Sequence, residues 1–491
     1  MSSSTPRAPS LLDALLPVLL LIVLLFFSVR LYGSDSSYGA NQIALLLASG
    51  LALIIGLRNG HRWDDLEEGL IHGISLSLKA VLILLAVGAL IGSFILSGTV
   101  PAMIYYGLML LDPAIFYAAT CLICCIVSVS IGSSWTTAGT VGVALIGVSH
   151  TLGLSPAITA GAIVSGAYFG DKISPLSDTT NLAPAVAGAE LFTHIRHLMW
   201  TTAPSILLAL IIFAVLGLQA HTEAVSPESL NRSLNLLSGQ FDVGWYVLIP
   251  VLILFAMAIK KVPAFPAIFI AALVGALWAV LFQRDAVLRF VGAEAGGAME
   301  LLKGIWTVLA SGYKSATGDA AVDSLLSRGG MASMLNTVWL IICAMVFGAA
   351  LERTGLLQRL VSSVLVFARG TGSLIVTTVL TCIGINIIAA DQYISLVLPG
   401  RMYKAEFQRR GLAPENLSRT LEDAGTITSP LVPWNTCGAF MAGTLGVPTL
   451  TYLPYAFFNL INPLVAIVYG LFSIKIRQLS EQELAQLAAK E

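Results

Sequence analysis

The stretch GDKISPLSDTTNLAP, residues 170–184, places three charged side chains and two prolines between long apolar segments. Proline removes a backbone donor and crowds the preceding helical turn, so Pro175 and Pro184 predict breaks in any helix that contains them. At membrane depth, the backbone groups freed by a break must be buried in protein or line a cavity. The stretch therefore predicts a discontinuous helix or a re-entrant hairpin if its surroundings lie in a membrane.

The composition of the chain indicates such surroundings. Of its 491 residues, 57% are hydrophobic and 11% are charged, whereas soluble proteins carry roughly 25% charged residues. Apolar runs of membrane-spanning length cover residues 15–32, 41–57, 76–97, 114–132, 202–220, 244–259, 263–282, 336–352, 371–390 and 455–474. The runs are continuous rather than alternating, so we expect an all-α polytopic membrane protein with about 10–12 spanning segments and not a transmembrane barrel.

Lysine and arginine are unevenly distributed between the loops, which predicts the orientation of the chain. Basic residues concentrate at 58–62, 260–261, 401–419 and 475–477, and they are scarce in 33–40, 149–154 and 221–243. Placing the basic segments on the inside puts both termini in the cytoplasm. We therefore expect a multi-pass protein of the cytoplasmic (inner) membrane.

The opening stretch has a partner in the second half of the chain. The tripeptide SPL at 174–176 recurs at 429–431, 255 residues later. At that spacing Pro433 stands where the first copy has Asp178, so the titratable charge belongs to the first copy. We expect both copies to form discontinuous helices or re-entrant hairpins.

The predicted loop positions give the two halves opposite orientations. Segment 149–154 is assigned to the outside, whereas its counterpart near 401–415 is assigned to the cytoplasm. Inverted repeats of this kind are typical of secondary transporters. We predict a first repeat in residues 1–240 and a second, inverted repeat in residues 241–491.

Both copies of the break are rich in side-chain oxygens, which are suitable ligands for a hard cation. The first half supplies Ser174, Ser177, Thr179, Thr180 and Asn181, and the second supplies Thr426, Thr428, Ser429, Asn435 and Thr436. The sequence predicts a sodium site among Ser174, Asp178, Thr180, Asn181, Asn435 and Thr436.

Ionisable residues cluster at the same two places. They are Asp171, Lys172, Asp178, Asp391, Glu422 and Asp423. A charge near the bilayer centre costs roughly 2.5–3.5 kcal/mol, so each needs a partner or a purpose. One interpretation is structural, with Lys172 paired to Asp171 or Asp178 and merely orienting two helices. The other is that the cluster binds ions.

A buried carboxylate suits an exchanger because desolvation disfavours its charged form. Such a group holds either a proton or a small cation, and competition between the two produces exchange. Asp178 is the first choice for this role because it lies within the oxygen-rich break, and Asp171 is a candidate to share the site. Hydroxyls between Ser128 and Thr137, and their counterparts near Asp391, rank lower because hydroxyls in membrane helices often bond only the preceding turn.

Several longer motifs resemble the NhaC-type sodium/proton antiporters. These are GAYFGDKISPLSDTTNLAPAVAG at 166–188, LEDAGTITSPLVPWNTCGAFMAGTLGVPT at 421–449 and YAFFNLINP at 455–463. The resemblance implies sodium efflux coupled to proton entry, in an ion-transporter-type fold of two inverted repeats that forms homodimers. It places the ion-binding positions at Asp171, Ser174, Asp178, Thr179, Thr180 and Asn181, with the second-half motif opposite.

Two transport functions stay open at this stage. The first is sodium/proton antiport, with both ions as transported species and no cofactor. The second is sodium- or proton-coupled transport of a small carboxylate or amino acid, since related members exchange malate for lactate and some move amino acids. The expected partners are these solutes and membrane lipid, not nucleic acid. A membrane enzyme is disfavoured because the sequence has no H-E-x-x-H or G-x-S-x-G motif.

Overall fold

The computed structural model describes residues 6–220, 227–293, 297–319, 322–323 and 326–480. Within these ranges the chain is almost wholly helical, and its one β-type contact is an isolated bridge between Leu412 and Gln478. The part of the predicted outer segment that covers 221–226 lies outside the described residues, as do both ends of the chain.

The helices of the first half are bounded by prolines, glycines and polar caps. They are α1 (Leu11–Tyr32), α2 (Ala40–Arg58), α3 (Trp63–Leu96), α4 (Thr99–Leu110), α5 (Phe116–Ile131), α6 (Ser134–Thr137), α7 (Val143–Thr151), α8 (Pro156–Ile173), α9 (Asp178–Ala187), α10 (Leu191–Ala220) and α11 (Pro227–Gln240). A π-helical segment, Ala138–Gly142, joins α6 to α7 without a break.

The helices of the second half are likewise bounded by prolines, glycines and polar caps. Its helices are α12 (Ile249–Ile259), α13 (Ala264–Phe282), α14 (Arg284–Val291), α15 (Ala298–Ser311), α16 (Leu335–Arg353), α17 (Leu356–Leu365), α18 (Thr371–Ile388), α19 (Gln392–Arg409), α20 (Pro414–Leu421), α21 (Thr436–Leu445), α22 (Thr449–Tyr452) and α23 (Phe457–Leu471). A π-helical segment, Glu422–Thr426, extends α20.

The described helices confirm a polytopic α-helical membrane protein. Eight of them are long and apolar enough to cross a bilayer. Two further candidates are bent pairs, one of 84° ending in α12 and one of 59° ending in α23. These pairs account for two of the predicted apolar runs, so the total of up to 10 spans lies at the lower end of the expectation.

The helices pack in two groups. In one, α3 contacts α13, α15 and α16, and α16 contacts α2, which packs on α1. In the other, α5 packs on α8 and α10, while α23 contacts α8, α10 and α18. The short helices α9 and α21 lie between longer ones: α9 contacts α19 and α20, and α21 contacts α3 and α16. The interrupted segments are thus covered by protein, as broken backbone at membrane depth requires.

The two halves share an order of elements that extends well beyond the SPL tripeptides. Helices α3 and α16 are each followed by a glycine in the left-handed region, Gly98 and Gly355, that caps the next helix. The ten-residue helices α9 and α21 each end at another left-handed glycine, Gly188 and Gly446. The predicted division into two repeats at residue 240 and their inversion in the membrane both stay predictions.

The structure corrects the alignment of the two breaks. In the first half the helix ends at Ser174, which is extended because the following Pro175 disfavours the helical region. In the second half a 3₁₀ turn continues the chain through Ser429, and the extended residue before a proline is Val432. The next helix consequently begins three residues later, and the counterpart of Asp178 by helix position is Thr436 rather than Pro433.

The break predicted at Pro184 is wrong. Pro184 lies inside α9, which continues to Ala187. Pro184 is the seventh of the ten residues of α9, and although it lacks the N–H that would bond the carbonyl of Thr180, the helix continues for three residues beyond it.

Candidate functional site

Four helix breaks meet in the interior of the molecule. In the first half the break at Gly132 touches the break at Ser174–Ser177, because a Cβ at Gly132 would lie 2.5 Å from the Leu176 side chain. In the second half the amide of Thr436 donates to the carbonyl of Ala390 at 3.0 Å. In each half the two breaks therefore contact each other, and α6, α9, α19 and α21 all begin at this place.

A cavity of about 600 Å³ opens between the breaks. Its polar lining comes from both halves of the chain and comprises Ser77, Lys79, Ser133, Ser134, Thr136, Asp171, Asp178, Thr179, Asn181, Lys261, Asp391, Gln392, Tyr393, Thr436 and Cys437. Its apolar wall includes residues of α3, α12 and α13. Three of the carboxylates predicted from the sequence, Asp171, Asp178 and Asp391, are thus gathered around one space.

Asp171 has the densest polar surroundings of the three. It lies in the last turn of α8, and its two carboxylate oxygens accept hydrogen bonds from Ser134 at 2.6 Å and Ser177 at 2.7 Å. Its backbone carbonyl accepts from Thr180 at 2.8 Å and Thr179 at 3.2 Å. The Ser177 hydroxyl accepts no hydrogen bond from a backbone amide of α9 and donates to Asp171 instead. The result is a compact group of oxygens from both breaks of the first half.

Asp178 is placed differently. It begins α9, its side chain is 63% exposed, and Oδ2 accepts a hydrogen bond from the Lys79 ammonium of α3 at 2.9 Å. The hydroxyl of Tyr393, from the other half, donates to the same oxygen at 3.4 Å. Asp178 therefore lies at the open side of the cavity with a counter-charge already present.

Asp391 is the N-terminal cap of α19, and its Oδ1 accepts from the amide of Ile394 at 2.9 Å. The equivalent cap in the first half is Ser133, which accepts from the amide of Thr136 at 3.2 Å. Both caps line the cavity. A carboxylate thus occupies in one half the position that a hydroxyl occupies in the other.

The six residues predicted to bind sodium do not form one cluster. Asp178, Asn181 and Thr436 line the cavity, whereas Ser174, Thr180 and Asn435 are buried in its walls. The Ser174 hydroxyl donates to the carbonyl of Val129 at 2.8 Å, and the Asn435 side chain caps α21 through the amide of Cys437 at 3.0 Å. These buried side chains thus hold the interrupted backbone around the cavity in place.

A second polar cluster is fully buried on the far side of α8. The Lys172 ammonium donates to Oδ1 of Asp423 and, at 2.8 Å, to Oδ1 of Asn462. The same Asp423 oxygen accepts from Thr201 at 2.8 Å and from the Asn462 amide at 3.0 Å. Neither charged side chain has any exposed surface. Lys172 is therefore the partner of Asp423 across the two halves, and not of Asp171 or Asp178 as the structural interpretation expected.

Glu422, the neighbour of Asp423, belongs to this buried region, and Ser429 is likewise buried and does not line the cavity. Both have no exposed surface, and the Ser429 hydroxyl donates to the carbonyl of Thr426 at 2.8 Å. The candidate residues therefore divide between an open cavity with Asp171, Asp178 and Asp391, and a closed cluster with Lys172, Glu422 and Asp423.

Three of the cavity residues that sequence reasoning missed carry a charge or join the two halves. Lys79 carries a charge within an otherwise apolar run of α3, which is itself a signal of function. Trp135 stacks on Phe440 of α21, with ring centroids 4.0 Å apart, and thereby joins the two halves beside the cavity. Lys261 lies in a basic loop that the sequence assigned only to orientation.

Comparison with known proteins agrees with the motifs. Residues 166–474 match the model of the Na⁺/H⁺ antiporter family. The chain is 39% identical to the Na⁺/H⁺ antiporter NhaC of Alkalihalophilus pseudofirmus over 90% of this chain and 92% of that protein. It is 37% identical to the malate-2H⁺/Na⁺-lactate antiporter of Bacillus subtilis, with 87% and 88% covered. It is 35% identical to the arginine/ornithine antiporter ArcD of Halobacterium salinarum, with 97% and 95% covered.

Proposed function

The chain belongs to the Na⁺/H⁺ antiporter family, and from this premise we propose that it exchanges sodium ions for protons at the cavity between the four helix breaks. The observation that carries the proposal is the group of oxygens around Asp171. A carboxylate with hydroxyls on both of its oxygens offers a hard cation several ligands at once. The group also lies at the C-terminal end of α8, where the helix dipole favours a positive charge.

We propose Asp171 as the shared site because of its surroundings. Ser134 and Ser177 donate to Asp171, and rotation of their hydroxyl hydrogens would leave the same oxygens free to coordinate sodium. Asp178 already has the Lys79 ammonium as a counter-charge, which offsets the attraction of a further cation. Asp178 and Asp391 would then add negative potential around a site centred on Asp171.

Exchange follows from competition at one carboxylate. Sodium binding at Asp171 requires the ionised form, so the proton leaves, and proton binding expels the cation. A proton that enters down the membrane potential gains about 2.3 kcal/mol per 100 mV, which is the same electrical quantity that an exported sodium ion costs. The free energy of the proton gradient therefore drives sodium export without a nucleotide.

Everted membrane vesicles loaded with a pH-sensitive dye test the proposal. Sodium alone, without an organic solute, is expected to collapse a preformed pH gradient when the protein is present. Asp171→Asn is expected to abolish this response, because the amide neither releases a proton nor carries a negative charge. Asp178→Asn provides the matched control in the same break and should retain measurable exchange. Full activity of Asp171→Asn at equal protein level would contradict the assignment, and loss of activity only in Asp178→Asn would move the site there.

A second candidate function uses the same cavity for a small carboxylate or amino acid. The cavity has the size of a small-molecule site, which spans roughly 300–1,000 Å³, and is far larger than a bare sodium ion. Helices α9, α19 and α21 begin at the cavity, and Lys79 and Lys261 line it, so positive potential is available for a carboxylate. Two relatives, the malate-2H⁺/Na⁺-lactate antiporter and the arginine/ornithine antiporter, are named for organic substrates, which supports this second candidate by homology.

The vesicle assay separates the two candidates. If sodium collapses the gradient only when malate, lactate, arginine or ornithine is present, the organic solute is an obligatory substrate. If the rate is the same with and without each solute, the exchanger handles ions alone.

We further propose that the chain lies in the cytoplasmic membrane with both termini in the cytoplasm, and that it forms a homodimer. The supporting observations are the basic loops and the family membership. Reporter fusions at each terminus test the orientation, and crosslinking in native membranes tests the dimer.

A further inference from the structure

The short helix of the second half packs closely on the long helix beside it. A Cβ at Gly443 of α21 would lie 2.7 Å from the hydroxyl oxygen of Thr337 on α16, and α21 also contacts α3. On the cavity side of this contact, the ring of Trp135 stacks on that of Phe440 with centroids 4.0 Å apart. Thr337 and Phe440 are buried. The cavity is therefore closed between α16 and α21.

The first half contains residues at the equivalent positions. Counting back from the left-handed glycines that follow these helices, Ala80 of α3 is equivalent to Thr337 of α16, and Ala185 of α9 is equivalent to Gly443 of α21. A pair of alanines has fewer side-chain atoms than a glycine opposite a threonine. Helices α3 and α9 can therefore approach each other as closely as α16 and α21 do.

The structure nevertheless keeps α3 and α9 apart. Ala80 lines the cavity and Ala185 is exposed. The first residue of α9, Asp178, also lines the cavity, and its Oδ2 is joined to α3 by the ammonium of the long Lys79 side chain at 2.9 Å. An ion pair thus spans the space that close packing fills in the second half. The cavity is therefore open between α3 and α9.

This ion pair determines what closure of the open side requires. The side chains of Lys79 and Asp178 are 65% and 63% exposed, and an approach of α9 to α3 would take both out of water. A charge buried alone is desolvated and unpaired, whereas a buried pair compensates itself. The equivalent residues on the closed side, Asn336 and Thr436, carry no charge. Closure of the open side therefore needs both members of the pair, or neither.

We propose that α3 and α9 form a second gate of the cavity, which closes through contact of Ala80 with Ala185 when the contact between α16 and α21 opens. The Lys79–Asp178 pair is carried into the closed gate and keeps it electrically neutral. The proposal rests on the proposed transport through this cavity. Because each half can make the same contact, an exchange of the closed contact for the open one exposes the cavity to the other side of the membrane.

Cysteine crosslinking in membrane vesicles that contain the full-length protein tests the contact. Ala80→Cys/Ala185→Cys should form a disulfide under mild oxidation when a pH gradient and sodium are present, because the closed gate brings the two Cβ atoms within disulfide range. The crosslink should stop sodium-driven proton flux, and reduction should restore it. Leu78→Cys/Ala185→Cys is the matched control and should not crosslink, since Leu78 is 52% exposed and does not line the cavity.

The outcomes separate the gate from the exchange reaction, because mass spectrometry of the digested protein detects the disulfide without a transport measurement. Free cysteines in a pair that is as active as the wild type would overturn the gate. A disulfide that leaves the flux unchanged would overturn it as well. A disulfide in a protein whose wild type exchanges no sodium for protons would instead refute the proposed function and leave the contact between α3 and α9 established.

Removal of the Lys79 charge tests the role of the ion pair. Lys79→Met should lower the maximal rate of sodium-driven proton flux at least about tenfold without raising the sodium concentration for half-maximal rate, because Asp178 is then buried alone on closure. Lys79→Met/Asp178→Asn has no charge to bury and should return to within about threefold of the wild type. A double variant as slow as the single one, or a loss confined to the half-maximal sodium concentration, would contradict this role.

Discussion

Removal of the Lys172 charge should cost a large part of the folding free energy. Lys172 and Asp423 have no exposed surface, so Lys172→Met leaves a carboxylate in the interior with only the hydrogen bonds from Thr201 and Asn462. Loss of one member of a buried ion pair typically costs about 3–5 kcal/mol, because the remaining charge is desolvated and unpaired. We expect a loss of this size for Lys172→Met and a comparable loss for Asp423→Asn.

The double variant Lys172→Met/Asp423→Asn isolates the electrostatic part. Its amide oxygen at position 423 can still accept from Thr201 and Asn462, and no buried charge is left, so we expect a stability within about 2 kcal/mol of the wild type. Equilibrium unfolding in SDS mixed micelles, followed by tryptophan fluorescence, provides the free energies. Lys303→Met on an exposed face of α15 is the control and should change stability by less than about 0.5 kcal/mol. A single-variant loss below 1 kcal/mol, or a double variant as unstable as the sum of the singles, would refute this reasoning.

Three further predictions concern the breaks and one loop. Ala390→Gly should stabilise the protein by roughly 1 kcal/mol in the same titration, because Ala390 has a left-handed φ of 56°. Gly132→Ala should lower sodium-driven proton flux at least about tenfold, since its Cβ would displace Leu176 and the adjoining Ser177 that binds Asp171. Hydrogen bonds from the Thr317 amide and neighbouring groups lower the pKa of Asp323, so its contribution to stability is present above the unfolded-state pKa and is lost as pH falls through the folded one. Protection of the Thr317 amide from hydrogen exchange should fall accordingly in acid, and a protection factor that stays the same as pH falls would contradict this.

The sequence was a good guide to the elements that depend on local chemistry. Apolar run lengths predicted the spanning helices, and Ser174-Pro175 predicted a helix end because a residue before proline avoids the helical region. The repeat was visible as SPL, but its register was not, since a 3₁₀ turn through Ser429 moves the second break to Val432. Nothing in a short apolar sequence distinguishes proline in a 3₁₀ turn from proline at a break.

The partners of the charged residues could not be predicted in this way. Lys172 lies next to Asp171 in sequence, yet it pairs with Asp423, 251 residues away, because successive residues of a helix point in different directions. Lys79 likewise reaches Asp178 across 99 residues. The breaks at Gly132 and Ala390 also gave little signal, because a single glycine or alanine between apolar runs is compatible with a continuous helix. Long-range packing fixes all of these contacts.

The orientation of the short helices explains why the cavity depends on its carboxylates. Helices α9 and α21 point their N-terminal ends to the cavity, and cations hold their opposite ends: Lys404 donates to the carbonyl of Val186 at 3.3 Å, and Arg328 donates to that of Leu445 at 3.1 Å. The helix ends at the cavity therefore contribute positive potential, which repels a cation and attracts an anion. In the proposed exchange, sodium binds where carboxylates reverse this potential, and Asp171 at the carbonyl end of α8 is the proposed position. The charge state of these acids therefore determines whether the cavity attracts a cation or an organic anion. The vesicle assay with and without organic solutes distinguishes these two substrates directly.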